Sequence, residues 1–234
     1  MTEPKHALVI GGTAGIGLAV ARRLAHRGQR VVITGRDAGR AQAVADTLGQ
    51  GHLGLGLDLA EPQTVAAALA AVGDIDHLVL SAVERDDNSV RQYDLAGAQR
   101  AVTLKMLGYT AVVAAVHARL RPGAAIVVMG GVALLRPYPG STTVSMMNGA
   151  AVGMARTFAV ELAPVRVNVI HPGAVDGTRS VETKPQALID QVLGRTPAGR
   201  LADTGDIAQA TLFMLDCPGV NGAELLVDGG FHLC

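Results

Sequence analysis

Three glycines in this chain have the clearest chemical use. Gly11, Gly15 and Gly17 follow the apolar run Ala7-Leu8-Val9-Ile10 and lead into an amphipathic stretch. That order reads as a buried strand, a tight turn and a helix start. Glycine permits positive φ and lets a bulky ligand approach the backbone. The free N–H groups of the helix start, together with the helix dipole, attract phosphate. A pyrophosphate is therefore the expected guest, with Thr13 and Ile16 inside the same turn. The spacing is G-x-x-x-G-x-G rather than the commoner G-x-G-x-x-G. An ordinary strand–helix turn is the plainer alternative.

The elements that must position this turn come next. Apolar runs at 8–10, 31–34, 53–57, 78–81, 125–129, 165–170 and 225–227 read as seven strands. Helical spacing fills the gaps, at 16–27, 40–48, 62–72 and 204–215, with two longer helices near 95–119 and 141–162. Strands apolar throughout and separated by helices predict a doubly wound α/β Rossmann fold. Its seven-stranded parallel sheet has helices on both faces. No composition break or linker divides the chain, so residues 1–234 are read as one domain. Acidic and basic residues balance at 20 each, which points away from nucleic acid. The two cysteines, Cys217 and Cys234, form no metal or redox pattern, so no metal is expected and a reducing cytoplasm is the simplest setting. The N-terminus has no signal-peptide layout, and no apolar run looks long enough to span a bilayer, so no membrane partner is expected.

In such a sheet the end of the second strand lies beside an adenosine ribose. An acid there would bind the 2′-hydroxyl, but this chain has Gly35 followed by Arg36. A guanidinium suits a 2′-phosphate through forked, charge-assisted hydrogen bonds, which favours NADP(H) over NAD(H). A solvated arginine beside Asp37 is the alternative. Asp58 ends the third run, where it would either face an adenine or cap the next helix.

These motifs resemble the short-chain dehydrogenase/reductase family, of the single-domain type, nearly end to end. Gly11, Gly15 and Gly17 match its cofactor turn, with Ile10 where a threonine is usual, and Asp58-Leu59 match its adenine-side Asp. The run Val167-Asn168-Val169-Ile170-His171-Pro172-Gly173 matches the strand and Pro-Gly turn beside the nicotinamide. Pro197-Ala198-Gly199-Arg200-Leu201, Asp206-Ile207-Ala208 and Val227-Asp228-Gly229-Gly230 match the C-terminal segment. The resemblance places the substrate lid near 174–195 and Thr178 beside the nicotinamide amide or pyrophosphate, or simply in a turn at the lid base. It also implies a homodimer or homotetramer acting on a small molecule.

The resemblance implies a catalytic tetrad of Asn, Ser, Tyr and Lys, and this chain departs from it at all four positions. Gly131 stands for the serine, Val144 for the tyrosine, Asn148 for the lysine and Lys105 for the asparagine. The family's Asn-Asn-Ala-Gly after the fourth strand becomes Leu80-Ser81-Ala82-Val83, with Ala82 kept against the cofactor. Val144 has no proton to give, and Gly131 has no group to polarise a carbonyl. Replacement candidates are Lys105 as acid or electrostatic clamp, Tyr138 leaning from its loop, and Asn148 on a ribose hydroxyl. The plainer roles of the first two are a lysine reaching solvent and lid packing; Asn148 cannot supply a lysine's charge. Ser141 is expected to cap the helix that follows, and His171 to be a common occupant of its position.

Three functions fit this combination: an NADP(H)-dependent oxidoreductase with a replacement acid or none, a cofactor-binding protein without turnover, and a catalyst of a non-redox step.

Overall fold

The structure, a computed structural model, describes residues 4–234. The first half of the chain runs β1 (His6–Ile10), α1 (Gly15–His26), β2 (Arg30–Gly35), α2 (Ala38–Asp46), β3 (Leu53–Gly56), α3 (Val65–Ala68), β4 (Ile75–Leu80), α4 (Leu95–Val102) and α5 (Tyr109–Val116). The second half runs β5 (Leu120–Met129), α6 (Thr142–Glu161), β6 (Arg166–Pro172), β7 (Val175–Asp176), α7 (Arg179–Glu182), α8 (Gln186–Leu193), β8 (Ala202–Asp203), α9 (Thr204–Asp216) and β9 (Glu224–Val227).

Seven strands form one sheet in the order β3-β2-β1-β4-β5-β6-β9, every pair parallel. The expected doubly wound architecture is therefore observed. Period-two alternation sends Leu8, Ile10, Leu78, Leu80, Ile126 and Val128 into one core, against α3, α5 and α6. Ala7, Val9, Val79 and Val127 enter the other core, against α1 and α9. Each fully buried Leu, Ile or Val stabilises such a layer by about 1.5–3 kcal/mol. The order reverses between β1 and β4, which opens a crevice at their C-terminal ends.

The structure corrects several expectations. The helix expected at 62–72 is a short 3₁₀ turn, Pro62–Thr64, followed by the four residues of α3. The first long helix is interrupted: α4 passes into a π-helical turn, Thr103–Gly108, before α5 resumes. That whole helix, Leu95–Arg119, is long and apolar enough by length and composition to cross a bilayer, contrary to the sequence reading. Isolated charges such as Arg100 and Lys105 interrupt the apolar run in sequence. Its inward face is built into the core through Val112, Val113 and Val116. Ser141 does not cap α6; its hydroxyl accepts the Tyr138 N–H at 3.0 Å and pairs with Ser145 Oγ at 3.1 Å. The lid segment holds β7, α7 and α8, and a two-stranded parallel ladder with β8 pins its base. Strands of two residues carry no readable period.

Arg166 shows how one end of the fold is closed. It lies buried on β6, and its guanidinium donates to the carbonyls of Met214 at 2.9 Å and Val220 at 3.1 Å, and to that of Leu215. These oxygens end α9 and start the loop beyond it, where the helix dipole favours a cation. Arg166→Met leaves them unsatisfied and should lower stability by about 2–4 kcal/mol. Urea unfolding should show this as a lower midpoint at unchanged slope.

Candidate functional site

The glycine turn between β1 and α1 is held by backbone contact. Gly11 has φ of +82°, and a Cβ there would lie 2.7 Å from the Ala82 backbone. A Cβ on Gly17 would run into the Gly11 carbonyl. Both glycines are therefore required by close approach within the fold itself. Ser81 Oγ donates to the Ile10 carbonyl at 2.8 Å, and Thr34 Oγ1 accepts the Gly11 N–H at 3.2 Å, so the ends of β4 and β2 are tied to this turn. Thr13 packs on Gly35, where a Cβ would meet its methyl at 2.6 Å.

The residues suit an anionic dinucleotide. The N-cap of α1 is Ala14, which offers no side-chain cap, and the first turn carries no acid. Its first N–H groups are thus left for an anion. Arg36 is exposed just past β2, on the same edge of the crevice. Asp58 does not cap a helix; its carboxylate accepts the Ala60 N–H at 2.9 Å and faces Arg100 at 3.5 Å. The Leu59 side chain is buried in the core and does not reach the crevice.

Beyond the turn lies a cleft of about 100 Å³. Ile16, Pro172, Gly173 and Thr178 line it, together with Lys105, Val144 and Asn148. Thr178 Oγ1 is already spent as a donor to the Val175 carbonyl at 2.7 Å. Val83 lines the cleft half exposed. Tyr138 is 47% exposed and is not among the lining residues, which corrects its candidacy. Its backbone N–H donates to Ser141 Oγ at 3.0 Å.

Lys105 sits in the π-helical turn and is only 2% exposed. It does not reach solvent. Its Nζ donates to Asn148 Oδ1 at 2.9 Å and to the Gly130 carbonyl at 3.4 Å. Burial, and secondarily the Arg85 guanidinium, push its pKa down to about 7. Asn148 in turn explains Gly131: a Cβ at 131 would lie 2.6 Å from Asn148 Nδ2. The Gly131 N–H donates to His171 Nδ1 at 3.2 Å, which leaves the ring proton on Nε2, facing Glu224 Oε2 at 3.2 Å. Burial holds this imidazole below its usual pKa despite the carboxylate.

Sequence reasoning missed Tyr109. It lines the cleft one helical turn after Lys105, fully buried, and its phenol donates to the Ala82 carbonyl at 2.6 Å. Burial raises its pKa far above that of a free phenol. The Lys-x-x-x-Tyr spacing on one helix was the available signal.

The family model described as Enoyl-(Acyl carrier protein) reductase matches residues 11–232. The chain belongs to the short-chain dehydrogenase/reductase family. A 3-oxoacyl-[acyl-carrier-protein] reductase of Bos taurus is 33% identical over 233 residues, 96% of this chain and 97% of the relative. A solved short chain dehydrogenase/reductase family protein has a TM-score of 0.88 at 34% identity, covering 99% of both chains. A short chain dehydrogenase from Burkholderia cenocepacia J2315, solved in complex with NADP, has a TM-score of 0.89 at 29% identity, covering 97% of both chains. In this family member the cleft therefore lies on the crevice side of a shared oxidoreductase fold, and Lys105 is its one lining lysine.

A lysine whose folded pKa lies below its unfolded value of 10.5 opposes folding while it is charged. The penalty is full below pH 7 and fades as pH rises from 7 to 10.5. The stability of Lys105→Met relative to the parent should thus be roughly 3–5 kcal/mol more favourable at pH 6 than at pH 10.5, one pKa unit being about 1.4 kcal/mol, while the Asn148 and Gly130 oxygens it orphans are a cost at every pH. Thermal melts should show the gain shrinking between pH 7 and 10.

Proposed function

We propose that this chain is an NADP(H)-dependent oxidoreductase in which Lys105 handles the proton that a tyrosine handles in its relatives. The observation that carries the reading is the buried Lys105 ammonium on the cleft wall, hydrogen-bonded at 2.9 Å to Asn148, where burial pushes its pKa down to about 7. An acid matched to neutral pH is what proton transfer to a nascent alkoxide needs. The glycine turn, the uncapped start of α1 and Arg36 support the cofactor assignment. When bound, NADPH supplies a hydride.

The chain's own residues supply the rest. Gly11 and Gly17 shape the turn, the uncapped N–H groups at the start of α1 take the pyrophosphate, and Arg36 meets a 2′-phosphate. Pro172, Gly173 and Thr178 border the nicotinamide side of the cleft. Val144, Met147 and Met129 line it with apolar surface and exclude water. Lys105 then polarises the substrate oxygen and gives it a proton. With Gly131 and Val144 at the usual serine and tyrosine positions, no other group on those elements offers one. The small cleft favours a compact substrate. Because a relative is a 3-oxoacyl-[acyl-carrier-protein] reductase, a short 3-oxoacyl thioester is the first compound to assay.

The test joins calorimetry to turnover. NADPH should bind at least tenfold more tightly than NADH, and Arg36→Asp should erase that preference. Lys105→Met should retain NADPH affinity while turnover falls by about 10²–10⁴-fold, the usual contribution of general acid catalysis. No NADPH binding at millimolar concentration, or full turnover in Lys105→Met, overturns the reading. Tight NADPH binding with no loss of its absorbance on any carbonyl compound would favour a binding protein instead.

A further inference from the structure

The cleft carries two cations and no acid. Lys105 and Arg85 both line it, and no Asp or Glu does. Neither cation has a carboxylate partner among the described residues. Lys105 donates to an amide and a backbone oxygen, and Arg85 donates to the Ser180 hydroxyl at 2.8 Å. The acids beside Arg85 in the chain are engaged elsewhere. Glu84 takes the Arg100 Nε at 3.1 Å, Asp86 accepts from Asn88 at 3.0 Å, and Asp87 pairs with Lys184 at 3.6 Å. The two charges are close enough for Arg85 to depress the Lys105 pKa. A buried ammonium with an exposed guanidinium beside it gives the cleft a positive potential, which favours an anionic ligand.

The geometry points to a substrate that is itself an anion: a short oxo carboxylate, its carboxylate held by Arg85 and its carbonyl oxygen by Lys105. This deepens the oxidoreductase reading and rests on it. A guanidinium offers a carboxylate two parallel hydrogen bonds, which a lone hydroxyl such as Ser180 cannot match. Arg85 stands at the exposed end of the cleft and Lys105 at its buried end, so a charged head and a reacting carbonyl are separated along one short molecule. The apolar wall of Val83, Met129, Val144 and Met147 has room for a few carbons between them. Ser180 opens α7 in the lid, so a carboxylate on Arg85 would also touch the lid.

Calorimetric titration with acetoacetate and with its methyl ester tests this, on the chain alone and with NADP⁺ present. The acid should bind at least tenfold more tightly than the ester in one or both conditions. Arg85→Gln should remove the difference, Arg85→Lys should keep part of it, and neither should change the Kd for NADPH. Equal binding of acid and ester, no binding of acetoacetate in either condition, or an Arg85→Gln variant that loses NADPH affinity instead would overturn the proposal. Failure of the oxidoreductase reading looks different: acetoacetate binds through Arg85, yet NADPH absorbance is never consumed.

Discussion

A single buried ammonium sets the arrangement at the centre of this molecule. Lys105 Nζ lies inside the fold with no carboxylate to meet it, and a charge so placed costs several kcal/mol unless hydrogen bonds surround it. Asn148 supplies the main one, and the position its amide takes removes the room for any side chain at 131. The Gly131 backbone N–H then turns to His171, His171 turns to Glu224, and Glu224 also accepts from Arg156 at 2.8 Å. One network thereby joins the π-helical turn, the Gly130-Gly131 segment after β5, β6, β9 and two positions along α6. The π turn is part of the same constraint. An extra residue in a helical turn re-aims the side chains around it, and such turns gather at functional sites. Gly108 closes the turn against Leu59, where a Cβ would sit 2.7 Å from the Leu59 carbonyl.

The sheet was legible because its strands are apolar on both faces and its helices keep their period. The glycine turn was legible because its steric demand is local: Gly11 needs positive φ and Gly17 needs bare space, and both needs are written in residue type. Contacts across the fold were less so. Lys105 and Asn148 are 43 residues apart, and only the paths of α4, α5 and α6 bring them together. Each was singled out through family resemblance, with no sign that they touch. Tyr138 was misplaced because closeness in sequence to α6 was taken as closeness to the cleft. Ser141 is not the cap expected of it, and Asp58 does not take its alternative role as a cap, for a shared reason. Short polar side chains satisfy whichever backbone N–H the local turn presents, and in both cases that was a loop N–H rather than a helix start.

The family resemblance implies an asparagine at 105 and a lysine at 148, and this chain has Lys105 and Asn148. The count of donors is preserved while the charge moves. A lysine on α6 would lie beside a ribose and a tyrosine; here the cation lies across the cleft, with its amide partner where the lysine would have been. The exchange alone would strand a charge, and the amide on α6 prevents that.

The tyrosines bear on why a lysine fills this role. Tyr109 is on the cleft, yet its phenol is fixed on the Ala82 carbonyl and its burial makes it a weaker acid. To ionise it would set an anion against a carbonyl oxygen. The same dry surroundings act in the opposite sense on Lys105. Burial disfavours charge in both groups, but the charged form of a phenol is its base and that of an amine is its acid. Desolvation therefore disables a tyrosine and sharpens a lysine as a proton donor. A cleft walled by Val144 and Met147, with no neighbouring cation bonded to a phenol, is one in which tyrosine chemistry fails and lysine chemistry improves. The apolar wall at Val144 and the lowered pKa of Lys105 belong to the same loss of water.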